Sequence, residues 1–491
     1  KPVAPSFWGN NASWATAGYF ARVNYDYDER YLFEANIRYD GSSRFRAENR
    51  WAWFPSVSAG WNIAKEPFWE SASRYVNTLK FRMSYGSLGN QNIGNWYPTY
   101  QKMGVYINNG AWLQDGKATN TAYSPELISS SLTWETIRSY NLGLDLGAFN
   151  NRLTSSFELY SRYTTNMIGP AQELPSVLGA SVPRTNNTDL RTYGFDFEVQ
   201  WKDNLDCGLF YGIRFILSDN QTEILRYPND SKLLMTNGIY SYYPGSHVGD
   251  FWGLKTLGIA KTDQEMKAHL ATIPHGGQSW LGTDWRAGDI MYADLDGNGV
   301  ISMESGTLAD HGDLIKLGND QPRFQFGLDL NASWKGFDMR VFFQGVGKRD
   351  FWPGYVAFWA SSNQNIWYML GFEEHLDYFR NTPSGDLDVN LDSYYPRPLL
   401  NAKNQYMQTK YLQDASYIRL KNFTFGYTIP QKYTQRIKVA NLRLFFTGEN
   451  LWTGTRLSSV FDPEGINGND KISGIGYPIM KTWACGLTIT L

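Results

Sequence analysis

Apolar and polar residues alternate one by one along several stretches of this chain. Residues 324–334, FQFGLDLNASW, are one example. A Lys335-Gly336 turn and a second alternating stretch, FDMRVFFQG, follow them. A period of two is that of a β-strand with one apolar face, and a short turn between two such stretches predicts a β-hairpin. Each stretch is about ten residues long, the length that a tilted strand needs to cross a membrane.

The pattern recurs along the whole sequence and predicts thirteen strands. We place them near residues 15–27, 31–41, 51–64, 79–89, 136–148, 153–164, 190–201, 208–220, 322–334, 337–347, 417–428, 441–452 and 478–491. The apolar phase predicts lipid-facing residues, among them Phe324, Phe326, Leu328, Leu330, Leu142, Leu144 and Phe425. The opposite phase predicts residues that face a lumen or a plug within it, among them Asp329, Asn331, Asp145, Glu34 and Arg38. Because a strand of a β-sandwich also hides an apolar face, the alternation alone leaves a sandwich possible.

The lengths of the connections favour a membrane barrel over a sandwich. Most connections after odd-numbered strands are short, whereas long loops follow the fourth, sixth, eighth and tenth strands, near residues 91–135, 165–189, 221–321 and 349–416. Short turns at one end and long external loops at the other are typical of outer-membrane barrels. With this orientation the first strand runs inward and the last ends in the periplasm. We therefore expect an odd number of strands before residue 1, and residues 1–491 to be the C-terminal portion of a larger barrel.

Composition agrees with this fold class and excludes several others. Aromatic residues make up 16% of the 491 residues, and the formal net charge is −2. Aromatic girdles at the two membrane interfaces account for such a content, although an aromatic-rich secreted β-protein that binds sugars is an alternative. The near-neutral charge and the lack of a basic stripe give no support for nucleic-acid binding. No apolar run is long enough for a transmembrane helix, and the first residues lack the features of a signal peptide.

Several stretches of the sequence resemble segments of one transporter family. They occur in the same order as in that family and are spread along nearly the whole chain. They include YLFEANIRYDGSSRF (31–45), RWAWFPSVSAGWNIAKEPFW (50–69), LKFRMSYGSLGNQNIG (79–94), GDIMYADLDGNGVIS (288–302), DASYIRLKNFTFGYTIP (414–430) and NLRLFFTGENLWT (441–453). Together they resemble the SusC/RagA-type TonB-dependent transporters. The resemblance implies an all-β fold, a transmembrane antiparallel β-barrel of 22 strands with a plug in its lumen. The predicted strands would be about 13 of these, with the plug domain not in this chain. The final residue, Leu491, departs from the common aromatic ending, although Leu487, Ile489 and Leu491 keep the outward phase.

The resemblance also implies a function. Family members are nutrient importers of the Gram-negative outer membrane that take up oligosaccharides, and sometimes peptides. They pair with a SusD-like surface lipoprotein that acts as a lid, and energy arrives from the TonB complex through an N-terminal region that this sequence does not contain. Two alternatives are a passive porin and a secreted sugar-binding β-protein. A porin barrel would be smaller and have an even number of strands within this chain, and a soluble protein does not expose a continuous apolar band about 25 Å tall.

One loop has the spacing of a calcium-binding loop. In DLDGNGVIS, positions one, three and five are Asp294, Asp296 and Asn298, and Gly299 falls at the sharp turn. The ligand set predicted for calcium comprises Asp294, Asp296, Asn298, Val300, Ser302 and Glu304. Position twelve is a serine, and the acidic residue stands one place early. The alternative is an Asp/Asn/Gly turn that its own side chains satisfy.

Loop aromatics are the candidate substrate contacts, because strand packing does not explain them. They are Trp112, Trp280, Trp285, Trp352, Trp359 and Trp367. Aromatic rings stack on sugars, but they also fill loop cores and protein interfaces. The histidines, His247, His269, His275, His311 and His375, lie on predicted loops without metal-ligand spacing and are expected at the surface. No catalytic motif and no site for an organic cofactor is found, so no enzymatic activity is expected.

The two cysteines test the strand order. Cys207 lies in the turn between the seventh and eighth strands, and Cys485 lies on the thirteenth in the same phase as Trp483. Five strand spacings of roughly 4.8 Å separate the eighth strand from the thirteenth, whereas a disulfide needs Cα atoms within about 7 Å. Both thiols are therefore expected to be free.

Overall fold

The computed structural model describes most of the chain. The described residues are 9, 11–92, 94, 96–101, 103–107, 109–122, 127–129, 131–169, 183–235, 240–354, 356–360, 371–466 and 477–490. Contacts between residues group the chain into two compact units. The first comprises residues 1–146, 158–194 and 222–228, and the second comprises residues 147–157, 195–221 and 229–491.

Thirteen long strands form one sheet in the described part of the chain, as the alternation predicts. They are β1 (Thr16–Tyr27), β2 (Tyr31–Ser42), β3 (Trp51–Asn62), β4 (Val76–Asn90), β9 (Glu135–Ala148), β10 (Leu153–Ile168), β11 (Asn186–Asn204), β12 (Phe210–Arg226), β17 (Arg323–Trp334), β18 (Phe337–Lys348), β21 (Tyr417–Thr428), β22 (Asn441–Thr455) and β23 (Thr482–Thr490). In this sheet each strand pairs with the strand before it in the list. The all-β, antiparallel fold class and the number of strands are confirmed.

The predicted hairpin at Lys335-Gly336 shows how the register is fixed. Trp334 pairs with Phe337, and the two residues between them have φ values of +49° and +90°. A two-residue turn with positive φ at both positions matches the right-handed twist of the flanking strands. Glycine adopts the second of these conformations without a steric penalty.

Several strands are longer than the alternation predicts. β4, β10, β11 and β12 each extend by three or more residues beyond the predicted limits, most of them at the end that joins a long loop. The added segments do not alternate between apolar and polar residues: β11 begins with the polar run NNTD, and β12 ends with QTEILR, in which Ile224 is buried. Because the period of two breaks down there, the sequence pattern does not reveal these strand ends.

The long connections contain short elements of their own. The additional strands are β5 (Val105–Tyr106), β6 (Leu113–Gln114), β7 (Lys117–Ala118), β8 (Thr121–Ala122), β13 (Asp250–Leu254), β14 (Thr256–Ile259), β15 (Ile290–Tyr292), β16 (Leu314–Asn319), β19 (Asp350–Phe351) and β20 (Gln413–Asp414). The α-helices are α1 (Asp263–Thr272), α2 (Val356–Trp359) and α3 (Gln431–Thr434), and 3-10 turns lie at Ala47–Asn49, Ile63–Lys65, Pro67–Trp69, Glu373–Leu376 and Gln435–Ile437. Among these described helices, none has the length and apolar character to cross a membrane.

Each unit has its own buried cluster, and neither cluster lies on the apolar face of the sheet. In the first unit, Trp134 packs on Phe45 and Phe54, and its indole N–H donates to the Arg50 carbonyl oxygen at 3.0 Å. In the second unit, the buried cluster lies in the connections between strands, where it includes Phe251 and Tyr292.

The predicted lipid-facing residues stay at the surface. Leu142, Leu144, Phe324 and Phe425 are exposed, and Phe326, Leu328 and Leu330 are half-buried against their neighbours in the sheet. Leu144 is 41% exposed, which no residue in a closed protein core could be. The sheet therefore presents an uncovered apolar face within each unit, as lipid contact requires.

Candidate functional site

The polar face of the sheet carries ion pairs that join strands. Asp145 of β9 accepts from Arg82 of β4 at 2.8 Å (Nε to Oδ2), and Asp329 of β17 accepts from Arg340 of β18 at 2.9 Å (Nε to Oδ2). Glu34 likewise pairs with an arginine of β1.

The other residues predicted on this face lie there too. Arg38 pairs with Asp40 on its own strand, and Asn331 pairs in register with Gly212, where its side-chain oxygen would meet an added Cβ. On β9 and β17, Asp145 and Asp329 thus lie in the phase opposite Leu144 and Leu328.

In the first unit this polar face forms a groove. Its volume is about 550 Å³, and its lining includes Asp26, Glu34, Lys80, Arg82 and Glu158. Both charge signs line the groove, so it suits a polar protein segment or a hydrated ligand better than an apolar one.

In the second unit three connections share one hydrophobic core. Residues from the connection between β12 and β17 (Phe251, Ile290) pack with residues from the connection between β18 and β21 (Phe358, Tyr411) and from the segment after β22 (Phe461). Such burial stabilises roughly 1.5–3 kcal/mol per large apolar side chain. Long loops that share a core behave as one folded layer, not as independent flexible segments.

The tryptophans that were predicted to contact substrate differ in their burial. Trp352 and Trp359 are 4% and 7% exposed and pack against each other inside the loop core in a tilted arrangement, with ring centroids 6.0 Å apart, so packing accounts for them. Trp285 is partly buried, and its indole N–H donates to the Gly282 carbonyl oxygen at 2.9 Å. Trp112 and Trp280 are exposed. Trp367 lies outside the described residues.

A buried charged cluster, which sequence reasoning missed, joins two of the long loops. The Asp289 carboxylate is fully buried and accepts from Arg397 through Nε and Nη2, both at 2.8 Å, from Lys403 Nζ at 3.0 Å and from Asn404 Nδ2 at 2.9 Å. Burial by itself would raise the pKa of Asp289, but these donors outweigh it and hold the pKa below its ordinary value. The available signal was an acidic residue directly before the apolar run Ile290–Tyr292, since buried acids are almost always paired.

The loop predicted to bind calcium is a tight turn built from its own side chains. Asp294 accepts from the backbone N–H groups of Gly297 at 2.7 Å and Gly299 at 2.9 Å, and both glycines have positive φ. Asp296 accepts from the backbone and side-chain N–H groups of Asn298, each at 3.0 Å. These bonds are those of an Asx turn and also those of an EF-hand-type loop.

The remaining predicted ligands of this loop bond mainly to one another. Glu304 accepts from Asn298 Nδ2 at 2.7 Å and from the Ser302 hydroxyl at 2.6 Å. The Val300 backbone N–H donates to the side-chain oxygen of Asn298 at 2.9 Å. The Asn298 oxygen therefore accepts from the backbone of the same loop, and its role as a cation ligand stays a prediction.

Asp313 completes a group of three carboxylates that the loop spacing could not reveal. Oxygens of Asp294, Asp296 and Asp313 lie within 4.8 Å of one another. Asp313 is fully buried and accepts from the backbone N–H groups of Leu295 at 2.6 Å and Ser302 at 2.9 Å. Burial, together with the two neighbouring carboxylates, raises its pKa. An all-oxygen, triply acidic group fits a hard divalent cation, but calcium binding here stays a prediction.

The histidines are not all at the surface, contrary to expectation. His375 is buried, accepts from the Phe372 backbone N–H at 2.9 Å and bonds through Nε2 to the Phe358 carbonyl oxygen at 3.1 Å, so it fixes a loop turn. His269 is half-buried beside Gln278, and burial lowers its pKa. Among the residues with a described placement, no histidine belongs to a potential metal-binding group.

Both cysteine thiols are free and exposed, as the strand order requires. Cys485 on β23 pairs in register with Phe446, and Cys207 lies in the turn between β11 and β12. Its carbonyl oxygen accepts from the Trp334 indole at 3.2 Å.

Comparison with known proteins gives a consistent result. A family model described as TonB dependent receptor-like, beta-barrel matches residues 1–451. The chain is 28% identical to TonB-dependent receptor P3 of Formosa agariphila over 502 residues, which cover 96% of this chain and 45% of the relative. It is 27% identical to TonB-dependent receptor SusC of Bacteroides thetaiotaomicron over 474 residues, 96% of this chain and 43% of the relative. The chain thus spans less than half the length of these curated relatives.

Solved structures show the same fold. A structure titled RagAB peptide transporter superposes with a TM-score of 0.72 and 22% identity, covering 97% of this chain and 48% of the other. A second structure, of the RagAB peptide importer in an open-open state, gives the same score and identity over 47% of its length. The likeness extends over nearly all of the present chain, and at this identity it is evidence of fold alone.

Proposed function

The chain belongs to the TonB-dependent receptor-like β-barrel family of the Gram-negative outer membrane, and from that premise we propose that it forms the barrel portion of a nutrient importer. The match over residues 1–451, which includes eleven whole strands of the sheet and most of the twelfth, carries the proposal. The family consists of transporters and receptors, so we propose no catalytic role for the chain.

The proposed substrate is an oligosaccharide or a peptide, taken up with a SusD-like lipoprotein as lid and with energy from the TonB complex. The support is that one relative is named SusC and that the superposed structures are titled as peptide transporters. The folded loop layer of the second unit adds a physical argument. A lid needs a firm rim, and loops that share a core with Phe251 and Phe358 provide one.

Exposed aromatic rings are the proposed substrate contacts of this importer. Trp112 and Trp280 are 63% and 38% exposed, and Trp280 is held edge-on against Tyr406 with ring centroids 5.0 Å apart. A ring held at the surface in this way can stack on a sugar or on an apolar side chain of a peptide.

The two alternative functions have less support. Leu142, Leu144 and Phe425 are each more than 40% exposed. In a secreted sugar-binding protein these apolar side chains would lie in water, which is unfavourable for a soluble protein. A passive porin accounts for the apolar face but gives no reason for the family match.

We propose calcium as the ion for the group of Asp294, Asp296 and Asp313. Their carboxylates are oxygen ligands of the kind calcium prefers, and neutralising three negative charges within 4.8 Å would stabilise the loop. The proposed role is structural, because these residues hold a turn and no reacting group lies among them.

Growth of a deletion strain tests the function. The strain would carry the full-length protein, and growth would be measured with single oligosaccharides or peptides as the nutrient source. We expect loss of growth on one substrate class after deletion and its return on complementation. Equal growth of the deletion and parent strains on every substrate would contradict the importer proposal.

Substitutions then test the substrate contacts and the lid. Trp112→Ala and Trp280→Ala should slow growth on the identified substrate, whereas Trp483→Ala, an exposed tryptophan on β23 that is 59% exposed, is the matched control. A tag on the full-length protein should co-purify a surface lipoprotein. Its absence would remove the lid from the proposal and leave the transport result unaffected.

A further inference from the structure

Arg138 lies on the apolar face of β9, close to the strand's first residues. Arg138 is exposed in the same alternating phase as Tyr140, Leu142 and Leu144. It therefore points away from the ion-paired face that carries Asp145. Among the residues with described positions, no carboxylate forms a salt bridge with Arg138.

A second arginine lies on the same face two strands away. The Arg191 guanidinium carbon of β11 is 4.9 Å from the centroid of the Tyr193 ring and 5.6 Å from that of Tyr163 on β10. Its Nε donates to the Ser161 hydroxyl at 3.4 Å. These contacts fix the guanidinium and leave its two terminal nitrogens without a hydrogen-bond partner in the described part of the chain.

The two arginines flank a row of tyrosines. Tyr140 and Tyr163 meet edge to face with ring centroids 6.1 Å apart, and Tyr85 lies 5.1 Å from Tyr140 on the other side. Because β10 lies between β9 and β11, two strand spacings separate the arginines, roughly 10 Å. Both lie within the first six residues of their strands, where those strands leave the long connections.

Neither Arg138 nor Arg191 forms a salt bridge with any carboxylate in the part of the chain that the structure describes. The neighbouring pair of Arg226 and Asp189, with Nε to Oδ2 at 2.8 Å, is neutral as a whole. Arg138 and Arg191 therefore add two positive charges directly above the apolar band of Leu142 and Leu144. Arginines at the edge of such a band extend to the headgroup layer, and the tyrosines mark that layer.

We propose that Arg138 and Arg191 bind the phosphate groups of an outer-leaflet glycolipid, with lipid A as the ligand. Guanidinium groups bind phosphate oxygens through paired, charge-assisted hydrogen bonds, and the leucines beneath them contact the acyl chains of the same molecule. This combination of an anionic headgroup over apolar chains distinguishes a lipid from free phosphate. The inference concerns the outer surface of the sheet, and it holds whatever the importer carries.

Lipid-dependent thermal stability of the purified full-length protein tests the proposal. The Tm would be followed in detergent with added diphosphorylated lipid A, lipid A without phosphates, phosphatidylglycerol or inorganic phosphate. We expect diphosphorylated lipid A to raise the Tm most. In the Arg138→Gln/Arg191→Gln protein, the lipid A concentration that gives half of this rise should increase about tenfold or more.

Controls decide between this site and general lipid binding. Lys481→Gln removes an exposed cation of the same outward phase, just before β23, and should leave the half-maximal concentration unchanged. If the double variant does not fold, the Arg138→Lys and Arg191→Lys proteins keep the charge and should retain most of the effect. An equal Tm rise with phosphate-free lipid A, with phosphatidylglycerol or with inorganic phosphate would overturn the proposal, as would a wild-type response in the folded double variant.

Discussion

Arg443 of β22 forms a salt bridge with Asp338 of β18, with Nε 2.9 Å from Oδ1, although β21 runs between the two strands. The crossing is possible because the residue beneath it is Gly426. A Cβ at this position would lie 2.5 Å from Arg443 Nη2 and 2.6 Å from Asp338 Oδ1. The glycine is therefore explained by a side-chain bridge that passes over it.

Replacing this glycine should disturb the bridge. We expect Gly426→Ala to lower stability by about 1 kcal/mol, since the new methyl group must displace the ion pair. The measurement is the temperature at which the folded protein is lost in a gel heat-modification assay. Gly86→Ala is the matched control, because its Cβ would meet Ser56 at an ordinary 3.5 Å. Equal losses in both variants would show that the bridge is unimportant.

The Asp289 cluster should stabilise the loop layer more than any exposed ion pair. Asp289→Ala leaves the Arg397 and Lys403 charges buried without a carboxylate, and such a loss typically costs about 3–5 kcal/mol. Hydrogen exchange of residues 283–292 and 395–408 would show the local opening. Asp392→Ala is the control, since its pair with Lys261 is exposed and contributes little. Unchanged protection in Asp289→Ala would contradict the role of the cluster.

The same cluster predicts a pH dependence with a definite sign. Because the pKa of Asp289 is held below its ordinary value, the folded state binds this proton more weakly than the unfolded state. Its stabilisation is fully present above the pKa of an unfolded aspartate, about 3.9, and is lost as the pH falls through the lower folded-state value. After correction for intrinsic rates, exchange of residues 283–292 should increase only below about pH 4. An increase between pH 7 and 5 would be incompatible with this assignment.

Calcium should protect the segment from Asp294 to Asp313. We expect proteolysis of this segment to slow when calcium replaces a chelator, because the ion offsets the repulsion of three carboxylates. Asp313→Asn should remove most of that protection. Asp310→Asn, which changes an acidic residue outside the group, should leave it intact. Identical cleavage with calcium and with chelator in the wild-type protein would mean that the loop is a self-satisfied turn.

Much of the sheet could be predicted because lipid contact forces a simple pattern. Leu142 and Leu144 alternate with Asn141 and Asp145, so the period of two gave the strand, its faces and its place in the order. The ends of β11 and β12 were missed because their residues do not alternate between apolar and polar: β11 begins with the polar run NNTD, and β12 ends with QTEILR.

The candidate site was harder to predict because it depends on residues far apart in sequence. Asp289 meets Arg397 and Lys403 more than a hundred residues later, and no local spacing encodes that contact. Asp313 joins the acidic loop from outside its twelve-residue window. Trp352 and Trp359 were predicted to contact substrate but are buried. The sequence does not distinguish an aromatic residue that fills a loop core from one that faces a ligand.

Accessibility along β9 tests the central claim, that this sheet spans a membrane with one face in lipid. Single spin labels at residues 141 to 145 would be placed in full-length protein carrying Cys207→Ser and Cys485→Ser, reconstituted in vesicles. Collisions with oxygen should be high at 142 and 144, and collisions with a water-soluble nickel complex should be high at 141, 143 and 145. If instead the nickel complex reaches 142 and 144 as readily as 141 and 145, the apolar face lies in water and the membrane-barrel account is wrong.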